Sequence, residues 1–172
     1  MEPIEKKERN NVIMRDVNNL TFMMEFMSLT QLTTTDIANR SNYSRQNIAR
    51  IMKVDDISLA KLRTIFDRCG YELSLEYMPI TPKTITTDIT PKEDDRKIDE
   101  DDNLAFLKKA ICKYNMKLST IAEKTGYGYS TLFQNIYKAG DLHISQLKKI
   151  AEAFDLVLHI TIKPKKSGGN SL

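Results

Sequence analysis

Two hydrophobic periods alternate along this chain, and the pair of them occurs twice. Leu20, Met23, Met24 and Met27 stand at helical spacing, and Leu104, Leu107 and Ile111 do the same further on. Methionine at this spacing predicts core filling rather than a cofactor box. Two short helices joined by a tight turn are expected next in each case. A further helix is predicted from near Ser58, with Leu59, Leu62, Ile65 and Phe66 on one face. It stops at Cys69-Gly70, where glycine suits a left-handed end. Its counterpart carries Ile144, Leu147, Ile150 and Ala151, with Asp155 at the stop. The period then falls to two. Tyr71, Leu73, Leu75 and Tyr77 alternate with Glu72, Ser74 and Glu76, and Leu156, Leu158, Ile160 and Ile162 with Val157, His159 and Thr161. These are strands buried on one face. A lone strand leaves its backbone groups unpaired. The two are therefore expected to pair over the helices, either with each other or with strands of a second chain.

The chain is an internal repeat. Shifted by 84 residues, Asn19, Leu20 and Phe22 meet Asn103, Leu104 and Phe106, Ile37-Ala38 meets Ile121-Ala122, and Tyr43 meets Tyr127. After one extra residue in the second copy the shift becomes 85, and Leu62, Ile65, Leu73 and Pro79 meet Leu147, Ile150, Leu158 and Pro164. The expected organisation is a unit at 12–79, a Pro/Thr-rich acidic linker at 80–101, a second unit at 102–164 and a mobile basic tail at 165–172.

The stretch TTTDIANRSNYSRQNIARIM (33–52) has the spacing that two steeply crossing helices need. Thr33 is a predicted N-cap, with Asp36 completing a capping box. Ile37 and Ile48 face the core, and Ala38 is small where the next helix crosses. Asn42 takes the positive φ of the turn, Tyr43 returns to the core, and Ser44 caps the second helix. Ile48 and Ile51 anchor that helix, leaving Arg45, Gln46, Asn47 and Arg50 outward. LSTIAEKTGYGYSTLFQNI (118–136) repeats this with Ile121, Ala122, Gly126, Tyr127 and Leu132, and its outward set is Tyr129, Ser130, Thr131 and Gln134. Lys117 stands where Thr33 does, so that cap is poorer. Gly128 stands where Ser44 does. If the shift of 84 continues, Asn135 holds the second anchor; if the extra residue lies in the turn, Phe133 and Ile136 are the anchors.

These residues, duplicated and each time followed by a helix-stop-strand element (IFDRCGYELSLEYMP and IAEAFDLVLHITIKP), resemble the phage-repressor/Cro-like helix-turn-helix family, also called the Xre family. The resemblance spans 17–78 and 101–163. It implies a mainly α fold: two lambda-repressor-like bundles in tandem, each followed by one strand that joins a small sheet. It also implies a regulator of transcription that binds double-stranded DNA, with the second helix of each motif in the major groove. Carried onto this chain, base contacts fall to Ser44, Arg45, Gln46, Asn47 and Arg50, and phosphate contacts to Thr34, Arg40 and Lys53. Tyr129, Ser130, Thr131 and Gln134 are the corresponding base-facing set of the second copy, with Lys124 and Lys138 as its phosphate contacts. The chemistry of the first set agrees, since arginine reads guanine and Gln or Asn reads adenine. The family's terminal strands also raise a homodimer as an expectation. The alternative is a protein-interaction module, antitoxin-like, in which DNA binding is weak or secondary.

Composition changes this picture only when taken by segment. The 172 residues carry 26 Lys+Arg against 23 Asp+Glu, net +3, and 41% are hydrophobic. That excludes fibrous and wholly disordered classes. Yet 1–79 holds 11 basic and 11 acidic residues, 80–101 holds 4 and 7, and 102–172 holds 11 and 5. The first copy concentrates Arg40, Arg45, Arg50 and Lys53 around one short helix. The second copy has no arginine, and lysine is a phosphate point charge rather than a planar reader. A division of labour is expected: copy one reads sequence and copy two adds backbone affinity. No apolar run predicts a membrane span, and the charged start MEPIEKKERN does not resemble a signal peptide. Cys69 and Cys112 are expected to be reduced core thiols of a cytoplasmic protein. His143 and His159 are isolated, so no metal or other cofactor is expected. Asp55-Asp56 and Asp101-Asp102 read as turn and capping residues. With no phosphate-cradling loop and no nucleophilic triad order, an enzyme is not expected.

Overall fold

The computed structural model describes residues 12–14, 19–53, 56–80 and 98–165. Among them the chain is mainly helical with a small antiparallel sheet. A short strand β1 (Val12–Met14) precedes the helices α1 (Asn19–Thr30), α2 (Thr34–Ser41), α3 (Arg45–Lys53) and α4 (Leu59–Arg68), then strand β2 (Tyr71–Pro79). The second half runs α5 (Ala105–Lys113), α6 (Leu118–Thr125), α7 (Tyr129–Phe133) with its continuation Gln134–Ala139, α8 (Ile144–Glu152) and strand β3 (Leu156–Pro164). No described helix is long and apolar enough to cross a membrane. Asp55, most of the expected linker and the tail beyond Lys165 lie outside the described residues, as does the side chain of Leu20.

Local chemistry sets most element ends. The Thr33 hydroxyl accepts from the Asp36 N–H at 3.2 Å, and the Asp36 carboxylate accepts from the Thr33 N–H at 2.8 Å, the reciprocal box expected for α2. The Ser58 hydroxyl accepts from the Lys61 N–H. Asn42 (φ 62°) and Gly126 (φ 74°) make the left-handed turns, and so do Gly70 (φ 88°) and Asp155 (φ 55°). The expected linker gives way earlier than residue 101. The Asp99 carbonyl and carboxylate accept from the Asp102 and Asp101 N–H groups, closing a turn.

Two core assignments are corrected. Met24 is 55% exposed; among the described side chains of α1, Met23 and Phe26 are the buried ones. At 100° per residue Met23, Phe26 and Met27 share one arc, and Met24 falls past its edge. Phe26 instead sets its ring edge-on to Phe66 and Tyr71. Cys69 is buried as expected, but Cys112 is exposed on the outer side of α5, whose Leu107 and Ala110 face inward.

The sheet order is β1-β3-β2, and β2 pairs with β3 within the same chain, from Tyr71 opposite Pro164 to Pro79 opposite Leu156. One face is buried, with Leu73, Leu75 and Tyr77 lying against Ile162, Ile160 and Leu158. At the centre Leu75 faces Ile160, its own counterpart 85 positions on. The same holds for Ser58 and His143, which form an antiparallel bridge. The backbone bonds that flank the bridge are mates of each other. The Leu59 N–H donates to the Leu142 carbonyl at 2.9 Å, and the Ile144 N–H to the Ile57 carbonyl at 3.0 Å. At the sheet ends the Ile80 N–H donates to the Asp155 carbonyl and the Lys165 N–H to the Gly70 carbonyl. Equivalent residues meeting twice, with reciprocal bonds around each meeting, mark a local two-fold axis relating the two halves.

Each half also caps the other's helix. The Asp141 carboxylate accepts from the Ala60 N–H in the first turn of α4, and the Asp56 carboxylate from the Ser145 N–H in the first turn of α8, both at 3.0 Å. Asp56 accepts further from the Ser145 hydroxyl and lies 3.0 Å from His143 Nδ1. Tyr77 crosses the interface too. Its buried phenol donates to the Leu147 carbonyl at 2.7 Å, and burial pushes its ionisation far upward. Loss of a helix cap costs about 0.5–2 kcal/mol. Asp56→Ala and Asp141→Ala are each expected to lower unfolding free energy by about that amount in urea titrations, with one shared transition retained.

Candidate nucleic-acid interface

The outward residues of α3 owe their placement to four inward ones. Ile48 is fully buried, and Ala38 at 5% exposure lets α2 and α3 cross closely. Tyr43 and Ile51 pack against the same core. The buried Ser41 hydroxyl donates back to the Ile37 carbonyl, and the Arg68 guanidinium donates to the Ser41 carbonyl at 2.6 Å, tying α4 to the turn. The Ser44 hydroxyl accepts from the Asn47 N–H at 3.1 Å and so caps α3. With these held, Arg45, Gln46, Asn47, Arg50 and Lys53 are all exposed along one helix, and Arg40 is exposed on the last turn of α2. Thr34 is half-buried at the start of α2. Among the described residues no ion pair engages Arg45, Arg50 or Lys53.

A groove beside α3 is bordered by Asn47, Arg50, Ser58, Lys61 and His143. It places α3 next to the Ser58–His143 bridge, and therefore next to the two-fold axis. Lys61 and His143 are thus part of this surface. Periodicity did not single them out: Lys61 lies on α4 of the same half, and His143 reaches this groove only through the pairing of the halves.

The second half keeps the scaffold and changes the surface. Ile121 is buried, Thr125 repeats the Ser41 back-bond by donating to the Ile121 carbonyl, and Gly126 makes the turn. The turn has the same length as in the first half, and Leu132 takes the place of Ile48 at 1% exposure. Neither sequence register for the extra residue holds. Gln134–Ala139 winds as a π-helix, with i→i+5 bonds in place of i→i+4. That wider turn absorbs one residue inside the helix, so Ile136 becomes fully buried while Asn135 is only half-buried and Phe133 is 37% exposed. Tyr129, Ser130, Thr131 and Gln134 are exposed as expected. Phe133 and Tyr137 join them, their rings 5.3 Å apart. No side chain caps α7, because Gly128 has none to offer.

Lys124 and Lys108 of this half are held by internal contacts, unlike Arg45 and Arg50, which no ion pair engages among the described residues. Lys124 donates to the Ala153 carbonyl at 3.0 Å and lies 4.8 Å over the Phe154 ring. Lys108 pairs with Asp102 and lies over Tyr137. Burial alone would raise the Asp102 carboxyl, but the Lys108 ammonium and the Leu104 N–H outweigh it and hold it below its ordinary range. Lys138 is exposed on the π segment. Among the described residues no group of three His, Cys, Asp or Glu side chains is placed to hold a metal.

No family model matches the chain, and no curated protein or solved structure matches it either.

Gly128 has φ −64° and ψ 134°, and a Cβ there would meet nothing closer than the Thr131 hydroxyl at 3.4 Å. Gly128→Ser is therefore expected to add the missing cap and raise stability by a few tenths of a kcal/mol, whereas Ser44→Ala should lower it by about 1 kcal/mol, both read from urea midpoints. The Asp36 carboxyl is held below its ordinary 3.8 by the Thr33 hydroxyl and backbone N–H. A carboxylate depressed in the folded state stabilises above its unfolded value and loses that contribution as pH falls through its folded value. Thr33→Val should thus lose less stability than the parent between about pH 5 and about pH 3.

Proposed function

We propose that this chain is a sequence-specific, double-stranded DNA-binding regulator of transcription, built from two lambda-repressor-like helix-turn-helix units that act as a covalent pseudo-dimer. In this reading α3 and α7 each enter the major groove of one half-site, and the half-sites lie about one helical turn apart (~34 Å) and differ in sequence. The observation that carries it is the local two-fold axis, with α3 beside it presenting exposed Arg45, Gln46, Asn47 and Arg50, the two arginines in no ion pair among the described residues. A covalent pair needs no second chain to offer two reading helices, and the terminal strands that would join protomers are already paired with each other.

The roles divide by chemistry. Arg45 and Arg50 have the planar donors that guanine accepts bidentately, and Gln46 and Asn47 match adenine. Arg40, Lys53, Thr34 and Lys138 face phosphate, with Lys124 contributing through the donors it does not give to Ala153. The alternative, an antitoxin-like protein-interaction module, differs in one measurable respect: it needs no salt-dependent duplex binding.

Selection of duplexes from a random pool at low salt tests this directly. The expected result is one preferred site with two unlike halves, bound with steep salt dependence. Failure to retain any duplex would overturn the reading. Within the selected site, Arg45→Ala should cost about tenfold in discrimination at one base pair. Lys138→Ala should instead weaken all duplexes equally and reduce the salt slope by about one.

A further inference from the structure

The second reading helix presents an aromatic stripe where the first presents arginine. Tyr129, at 54% exposure, replaces Arg45, and Phe133, at 37%, replaces Ala49; Tyr137 continues the stripe one turn on. Their exposure is a consequence of packing. Leu132 and Ile136 fill the core, and the helix faces that carry Tyr129, Phe133 and Tyr137 are left exposed. Phe133 would sit inward if the extra residue lay in the turn, and it does not.

A face with no guanidinium lacks the planar donor fork with which arginine reads guanine. It can read the one apolar group that the major groove displays, the C5-methyl of thymine, which aromatic and methyl-bearing side chains contact. The surroundings favour a duplex over a protein partner. Protein hot spots are ringed by groups that exclude water. This stripe is bordered by exposed Ser130, Thr131, Gln134 and Lys138, which suit base edges and phosphate, in a half carrying 11 basic and 5 acidic residues. The two-fold axis also makes this face the counterpart of the α3 face.

Resting on the DNA-binding reading above, we propose that Tyr129 and Phe133 make the second half-site a thymine-methyl reader, with specificity from apolar contact, while Arg45 and Arg50 read the first by hydrogen bonding. The second copy then contributes sequence information as well as backbone affinity.

The test uses the full chain and the selected duplex. Replacing each thymine of the second half-site by uracil removes the methyl and nothing else. The expected loss is about fourfold in affinity per contacted methyl, the transfer cost of one such group. Phe133→Ala, an exposed substitution, should lose most of that sensitivity while keeping the preference for the first half-site. Unchanged affinity on uracil substitution, or a second half-site without thymine, would overturn this proposal and leave the DNA-binding reading standing. Retention of no duplex, with Tyr129→Ala and Phe133→Ala abolishing capture of a protein partner instead, would overturn both.

Discussion

Each half of this protein ends in a strand that cannot stand alone, and the rest of the architecture depends on that constraint. The backbone groups of β2 need partners, and β3 lies opposite all nine of its residues and pairs those that face it within the same chain. Because the two strands come from repeated sequence and run antiparallel, their centre falls where Leu75 meets Ile160, and a two-fold relation follows. Packing of α4 and α8 beneath the sheet then brings Ser58 against His143, where Asp56 and Asp141 each cap the opposite half's helix. Neither half has its full set of caps without the other.

This coupling bears on function through position. The two-fold relation places α3 beside the axis and α7 in the related position, which is what the proposed DNA-binding role requires. DNA readers gain register from such fixed spacing, and a covalent pair keeps it at any protein concentration. A duplicated chain also frees its two faces to diverge, which a homodimer cannot do. The divergence is chemical rather than architectural: the same turn, the same buried Ile or Leu and the same back-bonding hydroxyl support arginine and amide groups in one half and aromatic rings in the other.

The extra residue of the second half shows how such a scaffold tolerates change. An insertion in an α-helix rotates everything after it by 100°, which would carry Ile136 out of the core. Winding Gln134–Ala139 as a π-helix cancels the rotation, so both anchors stay buried and the chain reaches Leu142 in step with Ile57. The helix keeps its place.

Much of this was legible in the residues. Thr33 with Asp36, Ser44 before Arg45, Asn42 and Gly126 in the turns, Gly70 at a helix stop and the alternation of both strands are governed by contacts within four residues, so the sequence by itself determined most helices, the local caps of α2 and α3, the repeat and the outward set of α3. The tertiary structure decided what depends on distant partners. Strands of either origin satisfy the same backbone groups, and only packing pairs β2 with β3. Whether an extra residue enters a turn or a helix depends on which anchors the core accepts, so Phe133 came outward by the fit of Leu132 and Ile136. Met24 and Cys112 were displaced to solvent by better-placed neighbours, and Asp56 and Asp141 found their N–H partners 81 to 89 residues away. Periodicity carries no information over that separation; it arises when two copies of one pattern fold against each other.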